Sequence, residues 1–250
     1  MIKLKNDNEI DLIKQGGLIL KAVFEDIKPA VIAGKRTKDI DDKIESIIVS
    51  HGGSPGFKKV PNYNFASCLC INDQVVHTPP SEQVLAEGDI FTIDCGVYFK
   101  GFHTDAADTF IVGDTKDRAK QVFLNAGKET LDHAIAQAHV GNRIGHISQT
   151  IDIKIKQTGY SIIKELTGHG IGRDLHEDPM IPGFLNEPIE NTPQIVPGMV
   201  LAIEVIYAEK SERIKSEEGS RWSLVTEKND ISACFEATIA VTETKTLILT

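Results

Sequence analysis

Apolar positions along the chain change their period several times, and each change marks an element. Between residues 7 and 28, Ile10, Leu12, Ile13, Leu18, Leu20, Val23 and Phe24 recur at helical spacing until Pro29. A second helix is expected from Thr37, read as its cap, with Ile40, Ile44, Ile47 and Ile48 as the buried stripe and His51-Gly52-Gly53 as its stop. Residues 54–64, with Pro55, Gly56 and Pro61, read as a loop. Short strands are expected at 67–71 and 75–77.

A period of two is clearest further on. Phe91, Ile93, Cys95, Val97 and Phe99 alternate with Thr92, Asp94 and Gly96. Lys100-Gly101 interrupts the run and Phe102 resumes it, which predicts a hairpin. With those two residues as the turn, Phe99 pairs with Phe102 and Asp94 falls opposite Ala107. Asp105 then shares the face of Asp94, one diagonal step away, where side chains start roughly 7–8 Å apart. Asp108 has the opposite parity. Two carboxylates on one face of an apolar ribbon need something positive between them, unless that face is open to solvent. This stretch alone allows both.

In the second half, residues 117–137 read as a helix with Val122, Phe123, Ala126, Leu131 and Ile135 inward. Another helix spans 144–158 and ends at Thr158-Gly159-Tyr160. Strands are expected at 162–166, 200–207, 231–241 and 247–249, and the charged stretch 209–221 as an exposed loop. Helix, helix, strand and hairpin are thus followed by helix, helix and strands. The order repeats in outline, so residues 1–250 are expected to form one α+β domain.

Composition narrows the function. At 41% hydrophobic and 25% charged residues the chain is ordinary for a soluble globular protein. No apolar run approaches a membrane span, and the N-terminus lacks the apolar core of a signal peptide. A cytoplasmic location is therefore expected. A net charge of −9 without a basic block argues against DNA or RNA as the main partner. The four cysteines, Cys68, Cys70, Cys95 and Cys234, show no CxxC spacing, and reduced buried thiols are expected.

Four more acids or histidines fall where they need explaining. Glu204 lies in a strand apolar on both faces, and Glu236 shares its strand face with Ser232, Cys234 and Thr238. His169 stands between Gly168 and Gly170, whose flexible backbone lets an ion or substrate approach the ring; His176 follows closely. Taken singly, each histidine reads as readily as a loop residue, and each acid as half of a buried salt bridge. But no basic residue lies in the strand cores around Asp94, Asp105, Glu204 and Glu236. Two divalent cations would neutralise these four charges. Oxygen-rich sites with one imidazole suit Mn, Fe or Co better than structural zinc.

Several segments together resemble the type I methionine aminopeptidases of the pita-bread metallopeptidase family. They are Asn72-Asp73-Gln74-Val75-Val76-His77, Ile93-Asp94, Gly101-Phe102-His103-Thr104-Asp105, Gly168-His169-Gly170-Ile171-Gly172 with His176-Glu177-Asp178-Pro179, Ile203-Glu204, and Phe235-Glu236-Ala237-Thr238. The resemblance implies a central antiparallel sheet in two pseudo-symmetric halves with helices on the outer face. It implies two divalent ions that activate a bridging water, with Asp94 on one, His169 and Glu204 on the other, and Asp105 and Glu236 bridging. It further implies Glu204 as general base and His77 and His176 as the pair contacting substrate. The peptide's α-amino group would bind a metal. Tyr63, Cys68 and Trp222 match methionine-pocket positions, and a small residue would be required after the methionine.

The implied role is removal of the initiator methionine from nascent proteins, near the ribosome, by a monomer. Val205 stands where the family usually has proline, Leu175 where an aromatic is common and Val60 where a tyrosine is common. Relatives that cleave before proline or hydrolyse creatine share the ligands but usually carry a further N-terminal domain. Only about ninety residues precede Asp94, so the short form is expected. Binding modules of this fold have lost ligands, and none is lost here.

Overall fold

The computed structural model describes residues 1–113 and 116–250. In chain order its elements are α1 (Asp7–Ile27), α2 (Thr37–Ser50), β1 (Ser54–Pro55), β2 (Ser67–Ile71), β3 (Gln74–Val76), β4 (Ile90–Phe99) and β5 (Phe102–Ile111). Then come α3 (Arg118–Ala136), α4 (Ile144–Thr158), β6 (Ser161–Ile162), β7 (Thr167–Gly170), β8 (Glu177–Pro182) and β9 (Val200–Ala208). The last are β10 (Ile214–Ser216), β11 (Leu224–Thr226), β12 (Ser232–Val241) and β13 (Thr246–Ile248).

Helix α1 opens with a capping box in which Asn6 accepts from the Glu9 amide at 3.0 Å and Glu9 accepts from the Asn6 amide at 3.0 Å. Its stripe and that of α2 bury Leu20, Val23, Ile27, Ile40, Ile44 and Ile48, while Leu18 faces solvent. Thr37 is the first helical residue of α2, not its cap. Its hydroxyl instead locks the Ser81 backbone, donating to the carbonyl at 3.1 Å and accepting from the amide at 2.8 Å. In α3, Asp117 is the cap, accepting from the amides of Ala119 and Lys120. Phe123 and Ala126 are buried as expected, but Val122 is 52% exposed because it lies one step off the stripe. Gly159 ends α4 in the left-handed conformation, φ 84°.

Ten strands make one antiparallel sheet along the order β1-β4-β5-β12-β9-β7-β8, with β2 beside β4, β6 beside β9 and β13 beside β12. The β4–β5 hairpin has the register read from the sequence: Phe99 opposite Phe102, Asp94 opposite Ala107. Lys100 and Gly101 make its turn with φ of 47° and 95°.

Alternation then sorts side chains between two faces. On one face, Phe91, Ile93, Cys95 and Val97 pack on α1 and α2; Leu201, Ile203, Val205, Phe235 and Ile239 pack with residues of α3 and α4. Each helix pair covers one half of the sheet. Asp108 points to this helix side, 3.4 Å from Lys128 of α3. The other face carries the acids. Burying the apolar face fixes the strand parity, since a one-residue slip would put every acid into the core.

Four corrections to the sequence reading concern short strands. The strand expected at 162–166 shrinks to β6, and β7 follows it through the glycine–histidine segment. The strand expected at 75–77 ends at Val76, and His77 adopts φ 60°. Within the presumed loop 54–64, β1 pairs with β4. Within the presumed loop 209–221, β10 pairs with β11, which joins β3 in a three-stranded sheet. All four cysteines are free and buried. No helix among the described residues is long and apolar enough to cross a membrane.

Candidate metal centre

A single row across the sheet builds the site. Cys68 on β2 faces Asp94 on β4, Asp94 faces Ala107 on β5, Ala107 faces Glu236 on β12, and Glu236 faces Glu204 on β9. Neighbouring strands lie about 4.8 Å apart, so two strand spacings separate Asp94 from Glu236. The small Ala107 leaves room above the middle of the row, and Asp105 reaches in from one diagonal step along β5. His169 enters from β7, opposite Ala202 of β9.

Ligand-type atoms of Asp105, His169 and Glu236 lie within 4.8 Å of one another, all three residues buried. His169 Nε2 is 3.5 Å from Glu204 Oε1. Its Nδ1 is 2.9 Å from the carbonyl of Gly170. A carbonyl only accepts, so Nδ1 carries the proton and Nε2 turns a lone pair toward the carboxylates. Burial, helped by His176, lowers the His169 pKa to about 4, so the ring is neutral.

The four acids are raised in pKa, first by burial. Mutual repulsion adds to this at Asp105, Glu204 and Glu236, and a hydrogen bond links the carboxyls of Asp94 and Asp105. Asp94 Oδ1 and Glu236 Oε1 are buried without a hydrogen-bond partner. No lysine or arginine pairs with any of the four among the described residues. Orphaned carboxylate oxygens beside an imidazole lone pair fit a divalent cation, which supplies the missing positive charge.

The glycines around His169 give closeness rather than freedom. A Cβ on Gly168 would lie 2.6 Å from the Ala202 carbonyl oxygen, and one on Gly170 would lie 2.2 Å from that of Asp178. Only bare backbone lets β7 come so near its neighbours. Thr238 was legible in the sequence only as part of a motif. Its hydroxyl accepts from the Asp105 amide at 3.0 Å and donates to the Asp105 carbonyl at 2.7 Å, fixing the strand that carries Asp105 against β12.

The acids open onto a cavity of about 390 Å3 whose lining also includes the apolar Phe57, Val60, Tyr63, Cys68, Leu175 and Trp222. Asp41 accepts from the amides of Ala66 and Ser67 and from the Ser67 hydroxyl, all within 3.0 Å, which anchors the start of β2 and so Cys68. Tyr63 donates to the Ser67 carbonyl at 2.8 Å and lies 3.1 Å from Cys68 Sγ. Trp222 meets the Tyr63 ring edge-on at 5.2 Å. Leu166 and Met180 join the rim, and neither they nor Phe57 carried a signal in the sequence.

His77 and His176 line the same cavity and are exposed to it. Surrounding protein lowers both pKa values, with His176 also acting on His77. The left-handed backbone of His77 is held from the next residue. Thr78 accepts the Leu69 amide at 2.9 Å and its hydroxyl bonds Ser223 at 2.7 Å. A strained residue at a cavity is a functional candidate. Val205, at the position of the expected proline, keeps an unbroken ladder with Phe235 and is fully buried.

This arrangement is that of a metal-dependent hydrolase, and the chain belongs to metallopeptidase family M24, whose profile matches residues 11–243. Its curated relatives include the methionine aminopeptidase of Clostridium perfringens, 39% identical over all of this chain and 99% of the relative. Methionine aminopeptidase 1 of Bacillus subtilis is 36% identical over the same shares. The crystal structure of the Thermotoga maritima methionine aminopeptidase superposes with a TM-score of 0.94 at 34% identity, covering 100% of this chain and 99% of that one. Prolidase from Pyrococcus furiosus, at 20% identity and a TM-score of 0.78, shares the fold, and this chain covers 64% of it. The expected pita-bread architecture and the expected family both hold.

Proposed function

We propose that the chain removes N-terminal methionine from peptides whose second residue is small, using two divalent ions of the Mn, Fe or Co class. The observation that carries this is the convergence of Asp94, Asp105, His169, Glu204 and Glu236 on one cavity whose remaining lining includes a cluster of apolar side chains. In this reading the five residues hold the metal, which when bound acts as a Lewis acid and makes water nucleophilic near neutral pH.

The remaining work falls to the protein. Glu204, whose side chain keeps 14% of its surface open to the cavity, takes a proton from the attacking water and passes it to the leaving amine. His77 and His176, neutral at physiological pH, offer N–H groups to the carbonyl oxygen as it gains negative charge. Tyr63, Cys68 and Trp222, with Val60 and Leu175, receive an unbranched thioether. Aliphatic Val60 and Leu175 stand where rings are usual and change the shape of this pocket.

The same reading puts the substrate on nascent chains near the ribosome in the cytoplasm, with residues 1–250 acting as one catalytic domain and as a monomer. Its support is the full-length match to curated aminopeptidases. A peptide panel tests the specificity. Metal-loaded protein should cleave Met-Ala-Ser and leave Leu-Ala-Ser and an Xaa-Pro peptide intact. Preference for the Xaa-Pro peptide would move the substrate class.

A further inference from the structure

The turn that carries His176, between β7 and β8, is tied down by the chain's first residues. Glu177, next to His176, has a carboxylate with 1% of its side-chain surface exposed. It meets Lys5 Nζ at 2.6 Å, and the Lys5 side chain is only 4% exposed. The other oxygen of Glu177 accepts from the Asp174 amide at 3.2 Å and lies 3.8 Å from Lys3 Nζ, and Lys3 also reaches Asp174 at 2.5 Å. Lys5 is itself fixed. Its amide donates to the Gly198 carbonyl at 2.7 Å and its Nζ donates to the Lys3 carbonyl at 2.8 Å. Asn6 follows at once as the cap of α1, so the strap has no slack.

Gly172 packs directly against this ion pair. A Cβ on Gly172 would lie 2.3 Å from Lys5 Cε and 3.1 Å from Glu177 Oε1. The Gly172 carbonyl in turn accepts from the His103 amide at 2.6 Å. By contrast, the ring of His176 has no hydrogen bond among the described residues and only packs edge-on against His169, centroids 4.5 Å apart. Its place over the cavity is therefore set by its backbone. That backbone is held on one side by the β7–β8 ladder, where Glu177 pairs with Gly170, and across the turn by the Glu177 carboxylate on the Asp174 amide.

We propose that the buried Lys5–Glu177 ion pair is a positioning device for His176, by which the N-terminal strap sets the rate of the reaction. This rests on His176 contacting the substrate, as read above. The strap joins α1, which packs on the first half of the sheet, to a turn of the second half. Side chains that orient a working group from behind commonly change its effectiveness 10- to 100-fold.

The test compares K5M and K5M/E177Q, each alone and combined with H176A, on Met-Ala-Ser at saturating metal. K5M takes the buried cation from a carboxylate left with only the Asp174 amide and the more distant Lys3, and can fail to fold; the double variant removes both charges and keeps the shape. The expected result for K5M/E177Q is a kcat about 10-fold lower with KM within twofold, and less than a twofold further change in the H176A background. In chelated protein, free of paramagnetic ions, the His176 ring resonances should broaden while those of His169 stay sharp. An unchanged kcat, or an equal loss in both backgrounds, overturns the proposal. If H176A alone turns over at the parent rate, the role of His176 is what has failed, and the strap's role falls with it.

Discussion

Glu204 and Glu236 lie directly opposite each other on neighbouring antiparallel strands, with no basic side chain between them. Like charges facing across a ladder are destabilising, and these two are also shielded from water. A cation held between them would relieve that repulsion. E236Q should remove metal binding at the shared position and cut turnover of Met-Ala-Ser roughly a thousandfold. The metal-free variant should melt no lower than the metal-free parent, since glutamine has the shape of the protonated acid. A clearly lower melting temperature would show that Glu236 has a stabilising partner instead.

The pH dependence of the metal-free protein follows from the same four acids. Their folded pKa values lie above the unfolded ones. The folded state thus holds more protons once the unfolded acids have ionised, and stability falls as pH rises toward the folded pKa values. Buried His103 and His169, both lowered to about 4, act in the opposite sense between there and their unfolded value of 6.5. From pH 7 to 8 the histidines are largely neutral in both states, and the four buried thiols, also raised by burial, add to the fall only toward the upper end. Chelated protein should lose stability across this window in denaturant titrations, and E204Q/E236Q should flatten the slope. A rise in stability across that window would contradict the assignment.

Thr238 gives a prediction about positioning. T238V removes the hydroxyl that bonds both the amide and the carbonyl of Asp105, at the same side-chain volume. An orphaned buried amide costs about 1–3 kcal/mol. The variant should fold with that loss and bind metal more weakly, as isothermal titration would show. Parent-like affinity would mean that Asp105 is held by the ladder alone.

On the pocket side, Trp222 meets Tyr63 edge-on and lines the cavity onto which the acids open. W222A should raise KM for Met-Ala-Ser roughly tenfold through lost apolar contact. Its metal content should not change. Equal KM values would remove Trp222 from the binding pocket.

Local features were the legible ones. The β4–β5 hairpin could be read down to the partner of Asp94, because a two-residue turn fixes register over a short loop and Lys100-Gly101 marks the turn. Amphipathic stripes gave four helices, with errors such as Val122 at the edge of a stripe. The row from Cys68 to Glu204 was not readable from pattern alone. It depends on β5 meeting β12 and β12 meeting β9, pairings whose partners are far apart in the chain and set by packing of the whole sheet. The resemblance supplied the ligand set that geometry then brought together. Strand β7 was missed because its glycines signal flexibility in sequence but serve close approach in the structure. Strands β10 and β11 are three residues each and carry too little alternation to detect. Nothing in the pattern pairs Lys5 with Glu177, 172 residues further on; the fold buries them together.

The most direct test is metal stoichiometry measured with activity. Chelated protein would be dialysed against increasing Mn(II) or Co(II), with bound metal per chain and Met-Ala-Ser hydrolysis read on the same samples. Two ions bound at saturation, no hydrolysis without metal, and loss of both in D105A is the predicted result. Hydrolysis by fully chelated protein, or full activity in D105A, would contradict a reaction centred on these five residues.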